Sequence, residues 1–367
     1  MGICSENIDK VKKWELVIMS KPSHEAWISV IIVCHNDGKW LPRCLETLRA
    51  QTIFDRIEVI IADNASEDGT DKLAQSLIAS WPSAKLLPTG GDNGFAVACN
   101  RGAQAALGRY LYLLNPDVWL EPDCLERLYE GVERAKASAG SAIIYEYEDA
   151  TVQHKGSDAF DLFCYPLTPR GGRDPKRLFC INGFTFIRRD FFQQIGMLDE
   201  RMFMYTEELD LSWRIWLAGG SLVPVLSARI HHRGAALVNP AGGTRVVENR
   251  TSVQKRFLAN RNCLITISKN SQHILLLSLA TYGALLFAEM LATLIMARSW
   301  EVAKHTALDP LLDLWRMRGH VRAQRKFIKT IRQHGDFWML RFFRLGFGRW
   351  NEIQKMLKRG FPKINRT

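Results

Sequence analysis

Three short apolar runs, each stopping abruptly on polar residues, constrain this chain more than any other feature. "ISVIIVCHN" (28–36), "IEVIIADNAS" (57–66) and "RYLYLLNPD" (109–117) are continuous and rich in β-branched or aromatic residues. Runs of this kind fit strands buried on both faces, as in a parallel sheet. Amphipathic stretches stand between them. In "GKWLPRCLETLRAQ", Trp40, Leu41, Cys44, Leu45 and Leu48 fall at helical spacing, and "DKLAQSLIASW" repeats the pattern. "AVACNRGAQAAL" and "DCLERLYEGVERA" read as two further helices. Strands alternating with helices predict an α/β fold with a mostly parallel sheet flanked by helices.

In such sheets ligands bind beyond the carboxyl ends of the strands. His35-Asn36, Asp63-Asn64 and Asn115 to Asp117 all fall at predicted strand ends. Asn115-Pro116 alone is a turn signal. A buried carboxylate, however, is costly unless a cation compensates it. Asp117 therefore either surfaces at a plain turn or holds a metal or ligand.

The segment "FMYTEELDLSWR" (203–214) gathers Glu207, Glu208 and Asp210 at a helix start. Acidic residues suit that end of the helix dipole, so some of them serve as caps. Aromatic neighbours would exclude water and raise a carboxyl pKa toward the working range of a general base. "LVPVLSARIHHRG" is a strand ending in His231 and His232. The eight cysteines form no C-x-x-C pair, which gives a zinc ribbon or redox dithiol no support.

These motifs carry a resemblance. "ISVIIVCHN", "IIADNASEDGT", "DNGFAVACNRG", "LLNPDV", "CINGFTFIRRDFFQQIGMLDERMFMYTEELDLSWR" and "ARIHHRG" occur in the order seen in family 2 inverting glycosyltransferases of the GT-A fold. The chain is similar to the bacterial rhamnosyltransferase-like branch of that family. The resemblance implies a nucleotide-sugar site that includes His35, Asn36, Asp63, Asn64 and Gly94. It puts Asn115 and Asp117 at the D-x-D positions, with uncharged Asn115 departing from the pattern. Asp117 is then the main carboxylate on a divalent Mg²⁺ or Mn²⁺, with His232 approaching the metal or diphosphate. Glu208 falls at the catalytic-base position, as Glu where the family usually has Asp. Glu207, Trp213 and Arg214 fall on the acceptor side, with Trp213 equally readable as core. The Q-x-x-R-W motif of processive enzymes is missing after Arg214, so one sugar per encounter is expected.

The carboxyl-terminal part reads differently. "ILLLSLATYGALLFAEMLATLIMA" (274–297) holds one charge, Glu289, and is long enough to span a bilayer. Ser278, Tyr282, Glu289 and Thr293 share one face of it, which speaks against a simple crossing. An interfacial or re-entrant helix, a true span and a helix packed in protein all stand as readings, the first preferred. Residues 298–367 carry 17 Lys and Arg against 5 Asp and Glu, whereas the whole chain is only +11. Phe and Trp interleave with these charges, a pattern that fits anionic lipid headgroups. No nucleic-acid motif accompanies the tail, so nucleic acid is not expected as a partner.

The expected organisation is an N-terminal extension (1–27), a GT-A catalytic domain (28–270) and a helical, basic, membrane-associated region (271–367). The expected activity is inverting, metal-dependent transfer of one sugar to a lipid-linked or growing surface-glycan acceptor at the cytoplasmic face of the membrane. A catalytically degenerate, membrane-anchored sugar-nucleotide or glycan-binding module is the alternative. A nucleotidyltransferase would need a basic G-x-G-x-R loop after the first strand, which "VCHNDGKW" does not supply.

Overall fold

The strand–helix alternation is present in the computed structural model, which describes residues 26–234, 243–245, 250–350 and 363–365. The N-terminal extension expected over 1–27 lies outside these residues apart from its last two. The chain runs β1 (Ile28–Cys34), α1 (Leu41–Arg49), β2 (Ile57–Asp63), α2 (Thr70–Ile78), β3 (Ala84–Pro88), α3 (Gly94–Ala105) and β4 (Tyr110–Leu114). Every residue of β1, β2 and β4 is buried, as their continuous apolar character requires. The four strands pair in parallel, in the order β3-β2-β1-β4. The helix of small residues, α3, lies close on β1. A Cβ at Gly102 would come within 2.5 Å of Ile31 Cγ2.

The next elements are β5 (Val118–Leu120), α4 (Cys124–Arg134), β6 (Ala139–Glu146), β7 (Val152–His154), β8 (Ala159–Phe160), β9 (Pro166–Leu167), β10 (Thr185–Arg188), α5 (Arg189–Gln194), α6 (Glu207–Leu217) and β11 (Leu222–His232). They extend the sheet through β10, β6, β11 and β5, with β7 on β6. Here the sheet becomes mixed, since β10 runs antiparallel to both β4 and β6. This reversal sets Thr185 opposite Leu113, so the loop before β10 sits at the carboxyl end of β4. β6 and β11 are parallel, and β11 ends with His232 opposite Glu146.

The carboxyl-terminal helices are α7 (Val253–Asn270), α8 (Ser278–Ala297), α9 (Trp300–Ala303), α10 (Asp309–Arg316) and α11 (Arg318–Ile331). They are continuous with the core: one apolar cluster joins Phe160, Phe179 and Trp213 to Tyr282, Leu286, Ile328 and Phe342. α8 presents a mixed apolar and polar face to the protein, with Leu286 and Met290 buried beside its polar residues. Its polar stripe faces the protein, with Tyr282 0%, Thr293 2% and Ser278 7% exposed. Tyr282 Oη donates to Asn260 of α7 at 3.2 Å, and Arg349 pairs with Glu289. Outward stand Leu277 at 68%, Phe287 at 58%, Leu291 at 45% and Ile295 at 77%. Ile274–Ile295 is the one segment among the described residues long and apolar enough to cross a membrane.

Candidate active site

Three of the predicted strand ends meet at one edge of the sheet. Cys34 is in register with Asp63, so β1 and β2 deliver His35 and Asn64 side by side. His35 Nδ1 lies 2.8 Å from Asn64 O, and Asn64 N donates to Cys34 O. Asn36 takes a left-handed φ of 58° and turns its amide oxygen to the backbone N–H of Glu67 at 2.7 Å. Asn64 accepts from Thr89 and Asn93 and donates to Asp92 at 2.7 Å. Asn36 and Asn64 thus hold the loops around the site. Asp63 is different: it is buried, and its Oδ1 accepts no hydrogen bond from the described residues. An orphaned carboxylate oxygen at a strand end is an acceptor waiting for a donor.

Asp117 follows β4 and is also buried. Its Oδ1 is 3.5 Å from His232 Nε2. β11 makes this choice of histidine, since neighbouring strand residues point to opposite faces. His231 stacks on Trp119 at 3.6 Å, and His232 turns toward Asp117. Gln153, on β7, orients the ring. Its amide nitrogen lies 3.4 Å from both Glu146 Oε2 and His232 O. Its Oε1 therefore accepts from His232 Nδ1, 2.9 Å away, and the Nε2 lone pair is left facing Asp117. Asn115 stands on the same turn, partly exposed. Asp37, buried beside His35, completes this rim. Burial pushes its carboxyl up to about 6 against the pull of the His35 N–H, and the Asp117 charge adds to the rise.

The acidic helix start lies across the same edge. Phe203, Tyr205 and Thr206 all have positive φ, at 65°, 69° and 62°, a strained approach to α6. Asn262 of α7 holds it by donating to the carbonyls of Met202, Met204 and Tyr205 at 2.7–2.9 Å. The strain ends at Glu207 and Glu208, both partly exposed. Burial pushes Glu208 up to about 7. It pushes Glu207 well up too, with the neighbouring Glu208 charge adding to the rise. Oε2 of Glu207 accepts no hydrogen bond from the described residues. The segment 180–184 joins the two sides of the site. Cys180 Sγ is 3.9 Å from Glu208 O, and the Phe184 ring packs edge-on to His232 at 5.0 Å.

Two expected site residues, Trp213 and Arg214, stand elsewhere, and Gly94 lies in the loop that Asn64 holds. Trp213 is fully buried between Phe160 and Phe179, so its apolar bulk serves the core and offers no face to an acceptor. Arg214 is buried as well. It pairs with Asp210 at 2.8 Å, and Asp210 also pairs with Lys269 at 3.0 Å. Lys269 and His320 both reach Asp199, closing a knot of charges behind α6. Gly94 has φ 82°, and the space its missing Cβ leaves is filled by Phe203, 2.5 Å away. Its role here is close packing of α3 on the strained loop. Sequence reasoning missed Gln153 and Asn262, which carry no motif. Asp37 could have been found, because it directly follows the polar pair that ends β1.

Comparison with known proteins agrees with this geometry. Residues 29–196 match the sequence profile "Glycosyl transferase family 2". The N-acetylglucosaminyl-diphospho-decaprenol L-rhamnosyltransferase of Mycobacterium tuberculosis is 29% identical over 57% of this chain and 76% of its own length. Rhamnosyltransferase WbbL of Escherichia coli is 24% identical over 64% and 96%. The crystal structure of GalNAc-T7 with UDP, GalNAc and Mn²⁺ matches at a TM-score of 0.61 and 18% identity. That match covers 93% of this chain but only 59% of the other, and it supports the GT-A fold. With its parallel β1–β4 half, its polar strand ends and these relatives, the chain carries a family 2 glycosyltransferase domain over residues 29–196 and is similar to bacterial rhamnosyltransferases.

Proposed function

We propose that the chain transfers one sugar per encounter from a nucleotide-diphosphate sugar to a lipid-linked or growing surface-glycan acceptor, inverting the anomeric centre. The carrying observation is the joining of an Asp117–His232 pair and a desolvated glutamate pair through the single segment 180–184. Rhamnose is the favoured donor sugar, because relatives from two bacteria are named for it. A diphospho-prenol carrier for the acceptor follows from the name of the mycobacterial relative.

Among the described residues no three His, Cys, Asp or Glu side chains converge as a metal cage. One carboxylate and one imidazole with its lone pair turned inward nevertheless fit a cation that takes its remaining ligands from a diphosphate. Asp117 and His232 would hold it, and when bound it neutralises the charge that develops on the leaving diphosphate. Asp63, with its orphaned oxygen, accepts a hydrogen bond from the nucleotide. Glu208 takes the proton from the acceptor hydroxyl. That oxygen bonds to C1 as the C1–O bond breaks, and the electron pair departs with the nucleoside diphosphate. Its raised pKa sets the base near neutral pH, where proton removal is effective. Glu207, the residue before it, supports it. Thermal-shift screening of nucleotide sugars with and without Mn²⁺, followed by a hydrolysis assay, tests the reading. A Mn²⁺-dependent shift and slow donor hydrolysis are expected; a protein that binds and hydrolyses none of the donors is not a transferase of this kind.

The membrane side of the proposal rests on α8. A helix that buries its polar stripe and exposes Leu277, Phe287, Leu291 and Ile295 suits the bilayer interface. The basic tail adds attraction to anionic lipid on the cytoplasmic side. Truncation at 271 would be a poor test, since Tyr282, Ile328 and Phe342 are built into the core. Phe287→Ser with Leu291→Ser leaves that core alone and should release the chain from phosphatidylglycerol vesicles. Unchanged vesicle binding would remove α8 from the membrane role.

A further inference from the structure

The reaction just described makes no use of a basic cleft beside the β8–β9 hairpin. Arg170, Arg173, Lys176, Arg177 and Arg344 line this cavity of about 420 Å³. Its two carboxylates are already engaged, Asp158 with Arg344 at 3.1 Å and Asp174 with Lys155 at 2.6 Å. Arg177 lies over the Phe342 ring at 4.8 Å. Arg173 and Lys176 are exposed and have no carboxylate within ion-pairing distance among the described residues. A cavity with surplus guanidinium and ammonium groups is suited to a phosphate or diphosphate.

Its position says which one. Arg177 is three residues from Cys180, at most about 11 Å of extended chain. Cys180 Sγ in turn lies 3.9 Å from Glu208 O. On the other side, Arg170 Nη2 donates to the carbonyl of Leu345 at 3.1 Å. Leu345 and Leu162 are both exposed, and Leu162 O accepts from Thr281 of α8 at 2.9 Å. The cleft is therefore joined by short stretches of chain to the start of α6 on one side and to exposed Leu345 on the other. We propose that it binds the diphosphate of a prenyl-linked acceptor, with Arg173 and Lys176 as the principal cations. The sugar would then extend toward Glu208 and the prenyl chain toward Leu162, Leu345 and α8. This inference rests on the lipid-linked reading of the acceptor given above.

The phosphate of an anionic phospholipid offers similar chemistry, so the test separates the two. The 367-residue chain and its Arg173→Gln/Lys176→Gln variant are bound to phosphatidylcholine vesicles that are plain, doped with farnesyl diphosphate, or doped with phosphatidylglycerol. One basic residue at a membrane surface is worth about fivefold in affinity. The double variant should therefore lose up to about twentyfold on phosphatidylglycerol, and clearly more, about a hundredfold or greater, on farnesyl diphosphate vesicles, where each side chain also gives up a charge-assisted hydrogen bond. Equal losses on both surfaces would identify the cleft as a general headgroup site and overturn the inference. So would a wild-type protein that gains nothing from farnesyl diphosphate, or a variant that loses nothing. Nucleotide-sugar binding and hydrolysis are measured on the same samples. Their absence beside an intact cleft effect would refute the transferase reading, whereas their presence without the cleft effect would refute only this inference.

Discussion

Behind α6, Asp199 and Asp210 are buried and heavily paired. At the sheet edge, Asp37, Asp63 and Asp117 are also buried, though slightly less so, and have no Lys or Arg ion pair among the described residues. In the knot, burial alone would raise Asp199, yet His320 and Lys269 hold its carboxyl well below the ordinary range. Asp210 has Lys269, Arg214 and Asn270 around it. At the edge the balance is reversed: Asp37 is pushed up to about 6, and Asp63 keeps an orphaned oxygen. The Glu207–Glu208 pair belongs with this second set. Both arrangements desolvate carboxylates, but only the knot supplies the countercharge from within the fold. The under-satisfied set is what a site looks like when its partners arrive with the ligand.

The largest way to break this contrast is at Glu208. General-base catalysis is worth roughly 10²–10⁴ in rate. Glu208→Gln should lose single-turnover transfer by about that factor, with donor affinity kept within a few fold. Glu207→Gln should cost less. A base must be deprotonated to act, so wild-type transfer should rise with pH through about 7, the value to which burial pushes Glu208. In Glu208→Gln that limb of the profile should vanish. If Glu207→Gln proves the slower variant at saturating donor and metal, the base is Glu207.

The next effect is on stability and comes from the knot. Lys269→Met leaves Asp199 and Asp210 short of a shared partner in the interior. Removing one member of a buried charge group typically costs about 3–5 kcal/mol. Denaturant unfolding should show a loss of that size. A midpoint equal to wild type would mean that the knot is solvated, and the contrast between the two regions would fail.

The sequence made the edge far more legible than the knot. Continuous apolar runs ending in Asn36, Asp63 and Asp117 state both the strands and their ends, because burial on two faces and an abrupt polar stop have one structural solution. Arg214 shows where such reading runs out. Its i, i+4 spacing to Asp210 was visible, but Lys269 lies 59 residues further along, and nothing local indicates that the three meet. Trp213 had two readings open, and packing against Phe160 decided for the core. Gln153 belongs to a three-residue strand without motif or periodicity, so only the folded sheet reveals its contact with His232. The reversal at β10 was hidden for a similar reason: a four-residue strand does not state its direction.

A smaller and more diagnostic effect is expected at Asp117. Asp117→Asn should weaken Mn²⁺-dependent binding of UDP or dTDP by roughly a hundredfold, the upper range for disturbing a metal site's surroundings. It should leave the thermal midpoint of the ligand-free protein equal or higher, because it removes a buried charge that has His232 beside it but no Lys or Arg ion pair among the described residues. Loss of stability would place Asp117 with the structural carboxylates of the knot. Unchanged metal-dependent binding would return it to the status of a turn residue.

The smallest expected effect acts through one hydrogen bond. Gln153 Oε1 accepts from His232 Nδ1 at 2.9 Å, which keeps the proton on that nitrogen and turns the Nε2 lone pair toward Asp117. Gln153→Leu preserves the bulk of the side chain and removes the acceptor. The imidazole can then carry its proton on either nitrogen, and the tautomer with Nε2–H would donate to Asp117 and close the gap meant for a cation. Lost outer partners of metal-bound histidines usually cost 10–100-fold. Because His232 remains and Phe184 still packs against it, the lower end, about tenfold in Mn²⁺ affinity, is expected. Gln153→Glu separates this from mere repacking: it keeps an acceptor at the same reach and, despite repulsion from Glu146, should lose less Mn²⁺ affinity than Gln153→Leu. Equal losses in Gln153→Leu and Gln153→Glu would show that the residue only fills space, and His232 would then be no better oriented for a cation than its stacked neighbour His231.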